Sequence, residues 1–279
     1  MKIFSTRADL SSHLKKIKLA GKRIGFVPTM GALHAGHLSL IELARKHADV
    51  VVCSIFVNPT QFNDPKDLER YPRPIQKDTQ ALEQALCDVL FIPEVSEMYS
   101  AAEKWHIHLE GLDELLEGKQ RPGHYQGVTQ IVKKLFDCVQ PDIVFFGQKD
   151  FQQFLVISKM VKKFRLKLEL MMCPIIREKD GLAMSSRNTH LSPIERKNAL
   201  ALYQTLKQIK NSYQKQSIAE LKKEAICKLQ ESSGVELEYF EICHTENLKP
   251  ALSKKAKHLV ALVAARLGQT RLIDNMILK

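Results

Sequence analysis

Long apolar runs are missing from this 279-residue chain: no stretch approaches the roughly 18 uncharged apolar residues that a membrane-crossing helix needs, so no membrane association is expected. The first residues, Met1-Lys2-Ile3-Phe4-Ser5-Thr6-Arg7-Ala8-Asp9, hold no apolar segment of a secretory signal. Cysteine is scarce and scattered: Cys53, Cys87, Cys138, Cys173, Cys227 and Cys243 never fall at C-x-x-C spacing. That argues against a zinc site or a disulfide framework and for reduced thiols in a cytoplasmic protein. Aromatics make up only 7%, Trp105 is the one tryptophan, and no basic stretch is interleaved with aromatics, so nucleic acid is not the expected partner. Acidic residues are outnumbered, and the net charge of +11 suits anionic ligands (nucleotides, carboxylates or nucleic acid) without choosing among them. The basic excess is denser toward the C-terminal end. Its plainer reading is a solvated, lysine-rich surface.

What is present reads as an α/β chain. Ile24-Gly25-Phe26-Val27 is a short strand expected to end at Pro28, and an amphipathic helix follows with Leu38, Leu40, Ile41 and Leu43. The β-branched run 50–57 has the continuous apolarity of a strand buried on both faces. A helix over 77–85, a strand at 89–92, a helix over 128–139, a strand at 143–146, a helix over 152–164 and a strand at 166–172 continue the alternation. Strands separated by helices make βαβ units and a parallel, Rossmann-like sheet, whose ligands bind beyond the carboxyl ends of the strands. A boundary is expected after Asn188, giving domains 1–188 and 189–279. In the second, Ser192-Pro193-Ile194-Glu195 is a capping box with proline at the first helical position, opening a helix to about Lys210. Ser217-Ile218-Ala219-Glu220 opens another that ends near Gly234, and 235–242 and 259–263 read as strands of a small α+β domain.

Four segments at strand ends carry chemistry. The first is Pro28-Thr29-Met30-Gly31-Ala32-Leu33-His34-Ala35-Gly36-His37. Its glycines let backbone approach a ligand, and histidines three apart share one face at a helix start, where unpaired N–H groups favour phosphate. Two surface histidines at a helix N-terminus is the plainer reading; a zinc pair lacks the glutamate and third ligand. The second, after the buried strand, places the amides of Asn58 and Gln61 where they could bind hydroxyl or carboxylate groups, or merely satisfy turn backbone. The third is Gly147-Gln148-Lys149-Asp150-Phe151-Gln152-Gln153: Lys149 offers a point charge for phosphate, and Gln153 points back toward the loop from one turn into the helix. Asp150 alone reads most simply as a helix cap. The fourth, Gly181-Leu182-Ala183-Met184-Ser185-Ser186-Arg187-Asn188, sets hydroxyls beside a guanidinium, a mobile phosphate clamp or an exposed polar loop.

Taken together, these segments resemble the pantoate–β-alanine ligase family over essentially the whole chain. Tyr71-Pro72-Arg73, Arg121-Pro122-Gly123-His124-Tyr125, Ala264-Ala265-Arg266-Leu267-Gly268, Thr270-Arg271 and Leu272-Ile273-Asp274-Asn275 extend the match. His34-Ala35-Gly36-His37 is similar to the signature of the HIGH-type nucleotidyltransferases, and 184–187 to the mobile phosphate loop of class I aminoacyl-tRNA synthetases. The resemblance implies a Rossmann-like domain, a smaller C-terminal lid domain and a homodimer. It implies ATP-dependent joining of pantoate to β-alanine through an adenylate, with Mg²⁺ bridging phosphates and no dedicated protein metal site. By position it assigns Met30, Gly31, Ala32, Leu33, His34, Ala35, Gly36 and His37 to ATP. It does the same for Gly147, Gln148, Lys149, Asp150, Ile176, Met184, Ser185, Ser186 and Arg187. Catalytic roles fall to His34, His37, Lys149, Ser185, Ser186 and Arg187; pantoate to Asn58, Gln61 and Gln153; and β-alanine to Gln61. Gln148 departs from the glutamate of many relatives, so any carboxylate role there is lost. A nucleotidyltransferase that stops at an adenylylated product shares the histidine motif but does not account for the Gln61 and Gln153 amides.

Overall fold

The computed structural model describes residues 1–100, 103–254 and 258–278. Contacts divide it into two units, 1–147 with 152–173, and 148–151 with 174–279. The break expected after Asn188 thus falls inside the second unit, which takes in Ile176 and the 184–187 segment.

In the first unit β1 (Lys2–Phe4), α1 (Arg7–Leu19), β2 (Ile24–Thr29), α2 (Ala35–His47) and β3 (Val50–Ile55) are followed by α3 (Pro65–Arg70), α4 (Ile75–Gln84), β4 (Val89–Phe91) and α5 (Val95–Met98). Then come α6 (Leu116–Gln120), α7 (His124–Val139), β5 (Ile143–Gly147), α8 (Phe151–Lys163) and β6 (Glu169–Cys173). The strands form one parallel sheet in the order β1-β4-β3-β2-β5-β6. From β2 the chain builds outward through β3 and β4 on one side and through β5 and β6 on the other. The order therefore reverses between β2 and β5, and the carboxyl ends of those two strands are where such sheets bind ligands.

Alternation along the strands divides the core. Val27, Val51, Cys53, Leu90 and Phe145 face Leu40, Ile41 and Ala44 of α2 and Leu82 of α4. The intervening Phe26 turns to the opposite face and meets Phe136 of α7 edge-on, with ring centroids 6.4 Å apart. Each fully buried side chain of this size contributes roughly 1.5–3 kcal/mol.

The sheet departs from expectation at several points: β6 begins at Glu169 rather than 166, β3 ends at Ile55 rather than 57, and two further differences concern β1 and β2. β1 is a three-residue edge strand too short for periodicity to mark, and β2 runs through Pro28, which pairs with Ser54. Pairing of β2 with β5 stops at Phe26↔Val144, so the N–H that Pro28 lacks breaks no ladder bond.

The second unit contains α9 (Pro193–Asn198), α10 (Leu200–Ser212), α11 (Ile218–Glu231), β7 (Glu236–His244), β8 (Leu259–Leu267) and β9 (Thr270–Ile277). The strands form an antiparallel sheet in the order β7-β8-β9. Both expected capping boxes are in place: Glu195 N–H donates to Ser192 Oγ and Glu220 N–H to Ser217 Oγ. The single helix expected up to Lys210 is assigned as two, α9 and α10, with Ala199 between them. Leu202, Leu206 and Ile209 of α10 and Leu221, Ala225 and Leu229 of α11 cover Leu259, Ala261, Val263, Ala265 and Leu267 of β8.

Candidate active site

Beyond β2 the chain makes a turn that local sequence alone would not hold. Gly31 and Ala32 both have positive φ, 78° and 50°. Asp78 of α4 holds them: its Oδ2 accepts from Ala32 N–H and its Oδ1 from Leu33 N–H, both at 2.8 Å. Asp78 is almost fully buried, and a Cβ on Gly31 would stand 2.9 Å from its Oδ2. The positive φ and this close approach together require glycine. Asp78→Asn replaces one acceptor oxygen by an amide N–H that faces another N–H. We expect a loss of about 2 kcal/mol in urea unfolding, because a buried donor is left unmatched. An unchanged midpoint would remove Asp78 from this role.

The turn delivers the histidines to the start of α2. His34 is the N-cap residue, and its Nδ1 accepts from Gly36 N–H at 3.1 Å. His37 Nδ1 in turn faces His34 N–H at 3.4 Å, so the pair caps the helix reciprocally. The rings lie 4.1 Å apart, tilted by 37°. An Nδ1 that accepts cannot carry the proton, which leaves Nε2 as the N–H-bearing atom of each neutral imidazole. Two ring donors thus stand beside a helix N-terminus, the setting in which phosphate oxygens are bound.

Beyond β3, a single-turn 3₁₀ helix (Pro59–Gln61) presents two amides with different tasks. Asn58 is 1% exposed; its Nδ2 donates to Gln61 Oε1 and Gly127 O, both at 3.1 Å. Its Oδ1 accepts from Thr60 at 3.2 Å and Tyr99 at 2.7 Å. Two donors and two acceptor positions are all an asparagine side chain has. These bonds orient Gln61 and set Asn58 behind it, at the edge of the position proposed for pantoate. Gln61 keeps capacity, since among the described residues its Nε2 donates only to the thioether of Met30, at 3.0 Å, and sulfur is a weak acceptor. Its backbone carbonyl accepts from His124 Nδ1 at 2.8 Å and Arg121 Nη2 at 3.2 Å. Arginine cannot accept, so Arg121 Nη1 donates to His124 Nε2, fixing His124 as the Nδ1–H tautomer. Burial, partly offset by its bonds to Thr60 and Asn58, raises the Tyr99 hydroxyl above its usual pKa, so it stays a donor.

On α8 the neighbouring glutamines separate in the same way. Gln152 is buried; it accepts from Glu117 N–H and donates to the carbonyls of Leu112 and Leu115. Gln153 is half-buried, and its side chain has no hydrogen-bond partner among the described residues.

Within the second unit, Gln148, Lys149 and Asp150 form a 3₁₀ turn, with Asp150 exposed. Ile176 and Met184 face each other across a hairpin, Met184 N–H donating to Ile176 O at 3.1 Å. Ser185 caps the following 3₁₀ helix (Ser186–His190), its Oγ accepting from Arg187 N–H at 3.3 Å. Asn188 Nδ2 ties the same segment to Ala183 O.

The family model described as Pantoate-beta-alanine ligase matches residues 2–277. The chain belongs to the pantoate–β-alanine ligase family. Of the ligases it resembles, the pantothenate synthetases of Acetivibrio thermocellus and Thermotoga petrophila are 45% and 46% identical to it over the whole of each chain. The solved pantothenate synthetase of Thermus thermophilus superimposes with a TM-score of 0.93 at 41% identity, covering 99% of both chains. The Francisella tularensis ligase, described as complexed with beta-gamma ATP and beta-alanine, gives 0.82 at 35% identity, covering 99% of this chain and 97% of its own.

Among the ligase site's supports, sequence reasoning had missed Asp78, Tyr99 and Gly127. Asp78 and Tyr99 carry no local motif; Gly127 lies inside a helix, where an isolated glycine is itself a signal of close approach.

Proposed function

We propose that the chain activates the carboxylate of (R)-pantoate with ATP and passes the pantoyl group to β-alanine, yielding pantothenate, AMP and pyrophosphate. A free carboxylate is a poor acyl donor at neutral pH, so amide formation needs an activated intermediate. A pantoate carboxylate oxygen attacks the α-phosphorus in line, the bond to the bridging oxygen breaks, and pyrophosphate leaves from pantoyl adenylate. The neutral β-alanine amine then attacks the acyl carbon and expels AMP. A closed site protects the mixed anhydride from water.

The observation that carries this reading is the reciprocal cap that orients His34 and His37 at the start of α2, the position from which ring donors meet charge developing on leaving phosphates. Met30 and residues 31–37 are assigned to ATP. Gly147, Gln148, Lys149, Asp150, Ile176, Met184, Ser185, Ser186 and Arg187 are assigned to the same nucleotide. Among these, Lys149 and Arg187 supply positive charge and the two serines hydroxyl donors. Gln61, oriented by Asn58, exchanges its bond to Met30 sulfur for oxygens of pantoate and then meets β-alanine; Gln153 gives the second amide to pantoate. Mg²⁺ would neutralise the ATP phosphates as their counter-ion, held by few protein ligands.

A homodimer in the cytoplasm completes the reading; sedimentation near twice the mass of one chain is expected. All six cysteines are free, in keeping with a reducing compartment. No helix among the described residues is long and apolar enough to cross a membrane.

The deciding assay is AMP release by the purified chain. It should require both pantoate and β-alanine, and each AMP should accompany one new amide. A stable adenylylated product, or AMP independent of β-alanine, would favour the plain nucleotidyltransferase.

A further inference from the structure

Asp274 and Asn275 lie on β9 and are 3% and 1% exposed. Two polar side chains this deeply buried on a small sheet need partners, and they find them in segments far away in sequence. Asp274 receives both arms of the Arg177 guanidinium, Nη1 at 2.6 Å and Nη2 at 2.9 Å, and also accepts from Asn275 N–H at 2.7 Å. Arg177, stacked over Tyr203, donates further to Gly181 O at 3.0 Å and Asn275 O at 3.3 Å. Asn275 Nδ2 donates to the carbonyls of Gln148 and Lys149, both at 2.9 Å, while its Oδ1 accepts from Gln148 Nε2 at 3.0 Å.

We propose that Asn275 is the positioning residue for Lys149, and that with Asp274 and Arg177 it joins the Lys149 turn and the 181–187 segment into one anchored piece. Asn275 itself touches no reacting atom. Its two donors fix the carbonyls on either side of the Lys149 N–Cα link, so they set the direction in which the lysine leaves the backbone. Arg177 carries that frame to Gly181, where the segment bearing Ser185, Ser186 and Arg187 begins. A lysine ammonium displaced by about 1 Å stabilises developing phosphate charge far less, so a residue that never meets ATP still sets the rate. In this chain residue 148 is an amide whose N–H₂ meets Asn275 Oδ1; a carboxylate at 148 would confront that oxygen without a donor.

The inference rests on the assignment of Lys149 to the ATP phosphates. Its test is a double-mutant cycle on the full chain, read by pantoate-dependent exchange of labelled pyrophosphate into ATP. Asn275→Ala should lower kcat/KM for ATP on the order of tenfold or more, with KM for pantoate within about twofold. In a Lys149→Ala background the same substitution should change little, because nothing remains to be aimed. Asn275→Ser, with one hydroxyl donor for two carbonyls, should fall between, and it carries the cycle if the alanine variant fails to fold. An unchanged exchange rate in Asn275→Ala, or a loss that persists in full without Lys149, overturns the inference and leaves Asn275 as a plain structural residue. If the folded wild-type chain supports no exchange, the proposed function fails instead. Calorimetric titration of the same four proteins with ATP then still reads the anchor through the Kd of each, with the same two outcomes.

Discussion

Replacing His37 with alanine should lower the single-turnover rate of pantoyl adenylate formation on the order of 10²-fold or more, while amide formation from supplied adenylate keeps its rate. A hundredfold loss corresponds to about 2.7 kcal/mol of transition-state stabilisation, the range for removing one preorganised donor from a developing oxyanion. The geometry makes the donor preorganised: His37 Nδ1 faces His34 N–H, so the ring is oriented and its proton assigned to Nε2. Pyrophosphate is already a good leaving group. A hydrogen bond that strengthens as charge develops is enough, and full proton transfer is not needed. His37→Gln, which restores an N–H donor, should recover part of the rate. The substitution also removes a helix cap, at a cost of about 1 kcal/mol, which urea unfolding measures separately. Adenylation at the wild-type rate in His37→Ala would take this residue out of the mechanism.

The second large effect is expected at Gly127→Ala. A Cβ there would lie 2.3 Å from Thr60 O, 2.6 Å from Thr60 C and 2.8 Å from Gln61 N. All three are backbone atoms of the turn that presents Gln61, so neither a rotamer change nor a side-chain shift relieves the overlap. α7 must move away, and with it Gly127 O, the acceptor for Asn58 Nδ2. Overpacking of this kind costs about 3 kcal/mol, against which alanine's better helix propensity returns about 1. We expect a lower urea midpoint together with a rise of about tenfold or more in KM for pantoate and little change in KM for ATP. A variant that keeps wild-type values of both would show that α7 does not hold the turn.

These two positions also mark what could be read from the chain. The reciprocal histidine cap and the capping boxes at Ser192 and Ser217 are local, with the cited partners within three residues, so spacing alone exposes them. The sheet was legible for the same reason, since apolar runs between helices describe parallel strands without reference to their neighbours. Asp78 was not, because it braces the turn from α4 and only the folded chain brings the two together. β9 was hidden by chemistry rather than distance. Its buried Asp274 and Asn275 interrupt the apolar pattern, and only in the fold do Arg177 and the 148–149 carbonyls supply their partners. Asn58 shows what spacing leaves open: an amide at a strand end can be a ligand or a brace, and only the fold reveals that it bonds Gln61 and Gly127.

The bond from Asn58 Nδ2 to Gln61 has a bearing on affinity. Because Gln61 Oε1 is already held before any substrate arrives, the rotamer freedom of that side chain is surrendered during folding and not again on association. Ordering a long amide at the moment of capture costs about 0.5–1.5 kcal/mol. A pocket spared that loss greets a small, flexible hydroxy acid with its recognition group already stiff, and whatever entropy is still to be given up belongs to the guest.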